Sequence, residues 1–251
     1  MYSCYVPSTQ ISDDTICIGE SERNHMLNVL RLKPRDPVQV FDGEGNSYIA
    51  SLCEICSPLL QAKILQRQFH PQTPPYVTLF QGLPKFNKMD LIIQKTTEVG
   101  VDEMVPMICC RSIPKYTAVA QKKRIDRWQR IANEAAKQCK RPRFAKVFAA
   151  QSMDRCLEQA TNLDLRLLLW ENEDRHELKQ ILRRHQEAKS IGLFVGPEGG
   201  FSAEEVEMAL QSGCLPVTLG GNILRTETAA IVGVALVMYE LTPAEDSDLG
   251  Q

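Results

Sequence analysis

Residues 190–200, Ser-Ile-Gly-Leu-Phe-Val-Gly-Pro-Glu-Gly-Gly, are predicted to form a short apolar strand followed at once by a glycine-marked turn. Residues 215–229, Leu-Pro-Val-Thr-Leu-Gly-Gly-Asn-Ile-Leu-Arg-Thr-Glu-Thr-Ala, repeat this arrangement. Each turn precedes a helix-start signal, and Ser202 with Glu205 matches a capping box. Glycines at strand ends let the backbone approach a ligand closely, so the two loops predict one small-molecule site. This pairing favours an enzyme over a scaffold protein.

Around these loops, strand-like and helix-like segments alternate from residue 76 to residue 241. The strands are predicted at 77–80, 104–108, 165–170, 191–195 and 217–219. The helices are predicted at 90–99, 120–140, 176–189, from 202 onward, and at 226–241. Such alternation indicates an α/β fold with a mainly parallel sheet covered by helices.

The first seventy residues predict a small β-rich unit. Segments 38–41 and 48–52 flank the turn-forming residues 42–46, which indicates a hairpin, and 62–65 is a third strand-like run. Residues 25–31 are predicted to form one short helix, and the proline-rich residues 70–75 a linker. We therefore expect one domain over 1–72, a second over 73–245, and a loose acidic tail over 246–251.

Composition excludes several classes of protein. A hydrophobic share of 43% and a charged share of 24% are typical of a globular chain, and the longest apolar run is shorter than the ~20 residues a membrane span needs. The first ten residues show no secretory signal, so a cytoplasmic protein without membrane contact is expected.

The nine cysteines include Cys53-x-x-Cys56, but no second pair or histidine cluster stands at zinc spacing. Reduced cysteines and no metal site are predicted.

Charge is distributed unevenly along the chain. Residues 71–150 contain 15 basic and 6 acidic residues, whereas 151–251 contain 8 basic and 17 acidic residues. A solvated helix face would explain part of the basic excess. Because the excess extends beyond one helix, an RNA or DNA contact surface is favoured.

Two features leave alternatives open. The loop at 196–200 lacks the lysine of a P-loop, and Glu198 has two possible roles, binding a ligand or holding the loop. The final helix is apolar almost all round, which fits either the centre of a large domain or a subunit interface.

Six segments occur in a fixed order along the chain: 25–32, 83–85, 94–101, 133–139, 196–200 and 223–229. Together they resemble the RsmE-type 16S ribosomal RNA (uracil-N3) methyltransferases of the SPOUT class. The resemblance covers nearly the whole chain.

This resemblance implies an N-terminal PUA-like β-barrel that binds RNA and a C-terminal α/β domain with a trefoil knot. It implies S-adenosylmethionine as cofactor, a homodimer, and 16S ribosomal RNA within the small ribosomal subunit as partner. The residues it assigns to the cofactor are Gly196, Pro197, Glu198, Gly199, Gly200, Leu219, Gly220, Asn222, Ile223, Leu224 and Arg225. The basic residues predicted to contact RNA are Arg31, Lys85, Lys88, Lys95, Arg111, Arg124, Arg127, Lys137 and Arg141.

For catalysis, Arg225 is predicted to stabilise negative charge on the uracil oxygens, with Glu227 orienting it. The alternative is an Arg225–Glu227 pair that only fixes the loop. Uracil N3 must also lose a proton, and Glu198, Glu227 and Glu134 are the candidate bases. Ribose 2′-O methylation of another RNA and a non-catalytic RNA-binding role are the rival functions.

Overall fold

The structure, a computed structural model, describes residues 1–53, 60–112 and 118–243, with backbone alone for 118–120. The chain divides into two compact units, Met1–Gln72 with Asn133–Phe144, and Thr73–Ala132 with Ala145–Gln251. The predicted acidic tail at 246–251 and Cys56 of the Cys-x-x-Cys motif lie outside the described residues.

Residues 133–144 belong to the first unit, although the sequence analysis assigns them to the second domain. The Gly45 N–H donates to the Pro142 carbonyl at 3.1 Å, and the Phe144 N–H donates to the Gly43 carbonyl at 2.9 Å. The ring of Phe144 also lies 4.8 Å from that of Tyr5. These contacts join segments about a hundred or more positions apart, so composition around residue 133 carries no sign of them.

The described residues of the first unit include the strands β1 (Tyr2–Tyr5), β2 (Thr15–Ile18), β3 (Pro37–Phe41), β4 (Asn46–Leu52) and β5 (Leu60–Phe69), and the short helix α1 (Glu20–Asn24). The strand order is β1-β3-β4-β5-β2, with β1 and β3 parallel and all other neighbours antiparallel. The predicted hairpin is confirmed as β3 and β4. The Asp42 carboxylate fixes its turn by accepting the backbone N–H groups of Glu44 at 2.8 Å and Asn46 at 3.0 Å.

The helix predicted over 25–31 is wrong in its bounds. Helix α1 begins earlier, at Glu20, and continues as a π-helical turn over His25–Val29. It ends there because Arg31 adopts a left-handed backbone conformation with φ of 56°. Only Met26 of this turn is buried, so the segment gives no clear apolar period from which to read its start.

The second unit is an α/β layer structure. Its strands are β6 (Tyr76–Gly82), β7 (Glu103–Ile108), β8 (Lys146–Val147), β9 (Gln151–Ser152), β10 (Leu165–Leu169), β11 (Ser190–Val195) and β12 (Leu215–Val217). Its helices are α2 (Lys88–Val99), α3 (Ala118–Gln138), α4 (Met153–Ala160), α5 (Leu178–Arg184), α6 (Ala203–Gln211) and α7 (Thr226–Leu241). The last residues of α3 group with the first unit.

The sheet of this unit is parallel throughout, as predicted. Its order is β12-β10-β11-β6-β7-β8, and β9 also pairs with β7. Alternate residues of β11 enter opposite cores: Leu193 packs on one face of the sheet and Phe194 on the other. The first core includes buried residues of α2, α5 and α7, and the second those of α4 and α6. Because helices cover both faces, the strands are apolar on both sides.

Helix α5 is shorter than the predicted 176–189. The N–H of His176 is accepted by the Glu173 carboxylate at 2.9 Å, which holds this residue in a turn before the helix. The Asp164 carboxylate accepts the N–H groups of Lys189 at 2.9 Å and Ser190 at 3.0 Å, which fixes the approach to β11. Among the helices described, none combines the length and apolarity that crossing a membrane demands.

Candidate functional site

A cavity of about 870 Å³ opens at the carboxyl ends of β10, β11 and β12. Since neighbouring parallel strands end at the same edge of a sheet, the loops that follow them meet there, as ligand sites in α/β folds do. All eleven residues assigned to the cofactor by resemblance line this cavity. The sequence therefore brings together the correct two loops, while their binding of a cofactor stays a prediction.

Sequence reasoning missed the third wall of the cavity, which follows β10. It is formed by Leu169, Trp170, Glu171, Glu173, Asp174 and Glu177. The rest of the lining consists of Lys88, Val195, Thr218, Gly221, Thr226 and Ala229. The signal was present, because the predicted strand at 165–170 is followed by a dense run of acidic residues. The prediction used only glycines at a strand end as a sign of a ligand loop, so it left out this acidic run.

The loop at 196–200 is packed so closely that glycine is required next to it. A Cβ at Gly82, the last residue of β6, would lie 2.6 Å from the backbone nitrogen of Pro197. Gly200 has φ of +67°, and the Glu171 carboxylate lies against the position that a Cβ there would occupy. The Arg111 guanidinium donates to the Gly199 carbonyl at 2.6 Å. This loop is thus held against β6, against Arg111 and beside the acidic wall.

A hydrogen-bonded chain ties the start of α7 to the ends of β6 and β11. The Thr226 hydroxyl donates to the Gly196 carbonyl at 2.5 Å. The amide of Gln81, which is fully buried, donates to the Thr226 hydroxyl at 2.9 Å and to the Gly82 carbonyl at 2.9 Å. Three strand and helix ends that are distant in sequence are therefore fixed to one another.

Lys88 joins the two predicted loops electrostatically. Its Nζ lies 3.1 Å from Glu198 Oε1 and 3.1 Å from Glu227 Oε2. Both Glu198 carboxylate oxygens also accept the Lys85 backbone N–H at 3.1 Å. Partial burial alone would raise the pKa of Glu198, but hydrogen bonds from its own N–H, from Lys88 and from Lys85 bring it below its usual value. Burial would lower the pKa of Lys88, and the two carboxylates raise it overall.

These contacts give ion-pair partners to all three candidate bases and correct the predicted partner of Glu227. Glu198 holds the loop through Lys85 and Lys88 and also lines the cavity, so its contact with a ligand stays a prediction. Within the described residues, Glu227 forms its ion pair with Lys88 and not with Arg225, because the first turn of α7 faces the start of α2. Glu134, the third candidate base, forms an ion pair with Lys137 at 3.0 Å. None of the three is an unpaired carboxylate beside Arg225.

Arg225 is exposed and lines the cavity at the N-terminal end of α7. Its carbonyl accepts the Ala229 N–H at 2.8 Å, which starts the helix, while the guanidinium has no ion-pair partner within the part of the chain described. An unpaired cation at the edge of a cavity can respond to negative charge that develops on a ligand.

The nine predicted RNA-contact residues are divided between the two units. Lys85, Lys88 and Arg111 contact the cavity loop 196–200. Lys95 pairs with Glu98 and Arg127 with Asp90, and both pairs lie on the second unit, which also contains Arg124. Arg31, Lys137 and Arg141 belong to the first unit.

Lys137 is only partly accessible to a ligand. Its ammonium pairs with Glu22 at 2.7 Å as well as with Glu134, and its side chain is 18% exposed. Burial would lower the pKa of Lys137, but the hydrogen bonds that its ammonium donates to the Glu22 and Glu134 carboxylates raise it overall. We conclude that the main role of Lys88 and Lys137 is to form ion pairs within the protein.

Metal-ligand and cysteine chemistry receive no support from the described residues. They contain no group of three or more His, Cys, Asp or Glu side chains arranged to hold a metal ion. The eight described cysteines are free, and burial raises the pKa of Cys109 and Cys156 to about 12. Such thiols are inert nucleophiles near neutral pH.

Comparisons with known proteins agree on one family. A family model described as RNA methyltransferase domain matches residues 71–238. The ribosomal RNA small subunit methyltransferase E of Synechocystis sp. is 30% identical over 240 residues, which cover 94% of this chain and 77% of that protein.

Two solved structures extend the similarity to the whole fold. The ribosomal RNA small subunit methyltransferase E of Neisseria gonorrhoeae, bound to S-adenosyl methionine, matches with a TM-score of 0.84 and 30% identity over 95% of this chain and 97% of that one. A putative methyltransferase of Legionella pneumophila, with bound SAM, matches with a TM-score of 0.82 and 26% identity over 94% of this chain and 96% of that one.

Proposed function

The chain belongs to the RNA methyltransferase family, among the ribosomal RNA small subunit methyltransferases E, and on this premise we propose that it methylates uridine N3 in 16S ribosomal RNA. S-adenosylmethionine is the donor. The observation that carries the proposal is the cavity at the ends of β10, β11 and β12, with the free Arg225 guanidinium at its edge.

The cavity suits this cofactor in size and chemistry. Its volume lies within the usual range of small-molecule sites. Gly196–Gly200 and 219–225 would hold the cofactor through backbone groups and the apolar side chains of Leu219, Ile223 and Leu224. Carboxylates of the third wall, Glu171 among them, favour a cationic ligand. When bound, the cofactor supplies a methyl group that its sulfonium already activates.

The remaining task of the protein is to position the base and manage its charge. Uracil N3 carries a proton and normally pairs, so the target base must be unpaired and must lose that proton. The resulting negative charge spreads to the uracil oxygens, where the Arg225 guanidinium would stabilise it. Lys88 acts on this step indirectly, because it fixes the Glu198 loop and the first turn of α7.

We extend the proposal to the two units. The first unit, Met1–Gln72 with Asn133–Phe144, acts as the PUA-like RNA-binding domain, and the second, Thr73–Ala132 with Ala145–Gln251, as the knotted methyltransferase domain. The knot is proposed from the family, and the hydrogen bonds of Thr226 with Gly196 and Gln81 would hold the start of α7 against two strand ends. We also assign the protein to the cytoplasm and to partly or fully assembled small ribosomal subunits.

A homodimer is part of the proposed function. Helix α7 buries one face, including Val234 and Val237, within its own unit. Leu236 and Tyr239 on another face are 41% and 84% exposed, and Leu91 on the contacting helix α2 is 43% exposed. A second subunit would cover these apolar side chains.

Calorimetry and labelled methyl transfer test this proposal together. Purified full-length protein should release or absorb heat on titration with S-adenosylmethionine and should transfer a labelled methyl group to small-subunit RNA. Absence of a cofactor-binding signal would instead support a non-catalytic RNA-binding role. Transfer to another RNA, with none to small-subunit RNA, would support the rival substrate.

A further inference from the structure

The segment between β6 and α2 presents an aromatic side chain in an unfavourable way. Phe86 is 87% exposed and has a left-handed φ of 56°. A left-handed backbone is strained for a residue with a side chain, and bulky residues rarely adopt it. Packing of the ring inside the protein does not offset this strain, because the ring is exposed. Strained residues of this kind concentrate at functional sites.

The surrounding contacts hold Phe86 in place from both sides. The preceding residue, Lys85, donates its N–H to both Glu198 oxygens, and Lys88 pairs with the same carboxylate at 3.1 Å. Leu83, three positions earlier, is 2% exposed and anchors the segment in the core. The contacts of Lys85 and Lys88 with Glu198 thus fix the backbone on both sides of Phe86. Glu198 itself belongs to the cavity wall.

These contacts place the backbone of Phe86 close to the cavity. Glu198 and Lys88 both line the cavity, and Phe86 lies between two residues that contact Glu198. Three exposed cations lie nearby: Arg225 lines the cavity, and Lys85 and Arg111 contact its loop 196–200. Such cations would attract a polyanion. An exposed aromatic ring beside cations is the combination by which proteins bind single-stranded nucleic acid, because every base offers a face for stacking.

We propose that Phe86 stacks against an unpaired base of the RNA substrate, either the target uracil or its immediate neighbour, and so holds it at the cavity. This inference rests on the proposed function. Phe86 would be a substrate-binding residue that the proposed chemistry does not otherwise use. The strain at φ of 56° is consistent with a ring held ready for a ligand before that ligand arrives.

Binding of a fluorescent octauridylate by the full-length protein, saturated with S-adenosylmethionine, tests the stacking. Phe86→Leu keeps an apolar side chain but removes the aromatic face, and it should weaken binding roughly fivefold to a hundredfold. Phe86→Tyr should restore affinity to within about twofold. With an abasic octamer of the same charge, wild type and Phe86→Leu should bind equally, because no base remains to stack.

Two further measurements separate stacking from folding and from self-association. Phe86→Gly relieves the left-handed strain, so it should melt no lower than wild type and yet bind octauridylate as weakly as Phe86→Leu. Sedimentation should give the same oligomeric state for all variants.

Equal octauridylate binding by wild type and Phe86→Leu, or a loss that persists with the abasic octamer, overturns the proposal. A changed oligomeric state also overturns it, in favour of a contact with a second copy. Failure of methyl transfer by wild type would instead count against the proposed function.

Discussion

Arg225 and Lys88 show what single residues contribute and how far the sequence reveals it. Arg225 was predicted from its place after a glycine-marked strand end, and it lies on the cavity as expected. The partner of Glu227 was predicted wrongly, because the nearest cation in sequence is Arg225 whereas the nearest in space is Lys88. Local spacing marks loops that shape a site, but ion pairs between residues more than a hundred positions apart leave no local mark.

Arg225→Ala should lower the rate of methyl transfer at saturating cofactor by about 10²-fold, the typical effect of removing one donor to a developing oxyanion. The side chain is exposed, so the melting temperature should stay unchanged. Single-turnover transfer to small-subunit RNA measures the rate, and calorimetry measures cofactor affinity. Normal turnover with unchanged cofactor binding would show that Arg225 has no catalytic role.

Lys88→Met should destabilise the protein by about 1 kcal/mol, since it leaves Glu198 and Glu227 without their shared cation in a partly exposed, solvent-screened setting. The lowered pKa of Glu198 means that its contribution is present above the unfolded-state pKa and is lost as pH falls through the folded-state pKa. Because the pKa of Lys88 is raised, its contribution to stability is fully present below about pH 10 and is lost at higher pH.

Urea unfolding of wild type and Lys88→Met from pH 3 to pH 9 measures this effect. The difference in unfolding free energy should be constant from about pH 6 to pH 9 and should shrink below about pH 4. Lys95→Met is the matched control, because it removes a lysine of the same helix whose ion-pair partner among the described residues is Glu98, three residues away. Equal losses for the two variants would contradict the bridging role of Lys88.

At the scale of elements, the sequence predicts best where several local signals agree. Helix α7 was predicted with the observed bounds, Thr226–Leu241, and β11 with its final residue, because apolar runs there end at marked turns. Helix α4 and strands β8 and β9 were missed. The two strands contain two residues each, and they exist because they pair with β7. Their stability comes from partners and not from their own pattern.

The capping box of α6 gives a prediction at this scale. Ser202 Oγ accepts the Glu205 N–H at 3.2 Å, and the Glu205 carboxylate accepts the Ser202 N–H at 2.8 Å and the Cys110 N–H at 2.7 Å. Ser202→Ala should therefore cost about 1 kcal/mol of unfolding free energy. Urea denaturation measures the loss, and Glu207→Gln, an exposed change on the same helix, should have almost none. Equal stability of the two variants would argue against the cap.

At the scale of the whole molecule, the α/β class and the division near residue 72 were accessible from the sequence. Alternation of apolar segments and a proline-rich linker are both local patterns. The grouping of Asn133–Phe144 with the first unit was not accessible, because it depends on contacts such as that of Phe144 with Gly43. The basic excess of residues 71–150 is consequently divided between the two units, and it is not one surface of one domain.

The central claim concerns the product nucleoside, and mass spectrometry of that product tests it most directly. Small ribosomal subunits from a strain lacking this protein would be incubated with the purified protein and S-adenosylmethionine bearing a ¹³C-labelled methyl group, and their RNA digested to nucleosides. We predict labelled 3-methyluridine, at no more than one per 16S ribosomal RNA. Labelled 2′-O-methyl nucleosides without labelled 3-methyluridine would contradict the account.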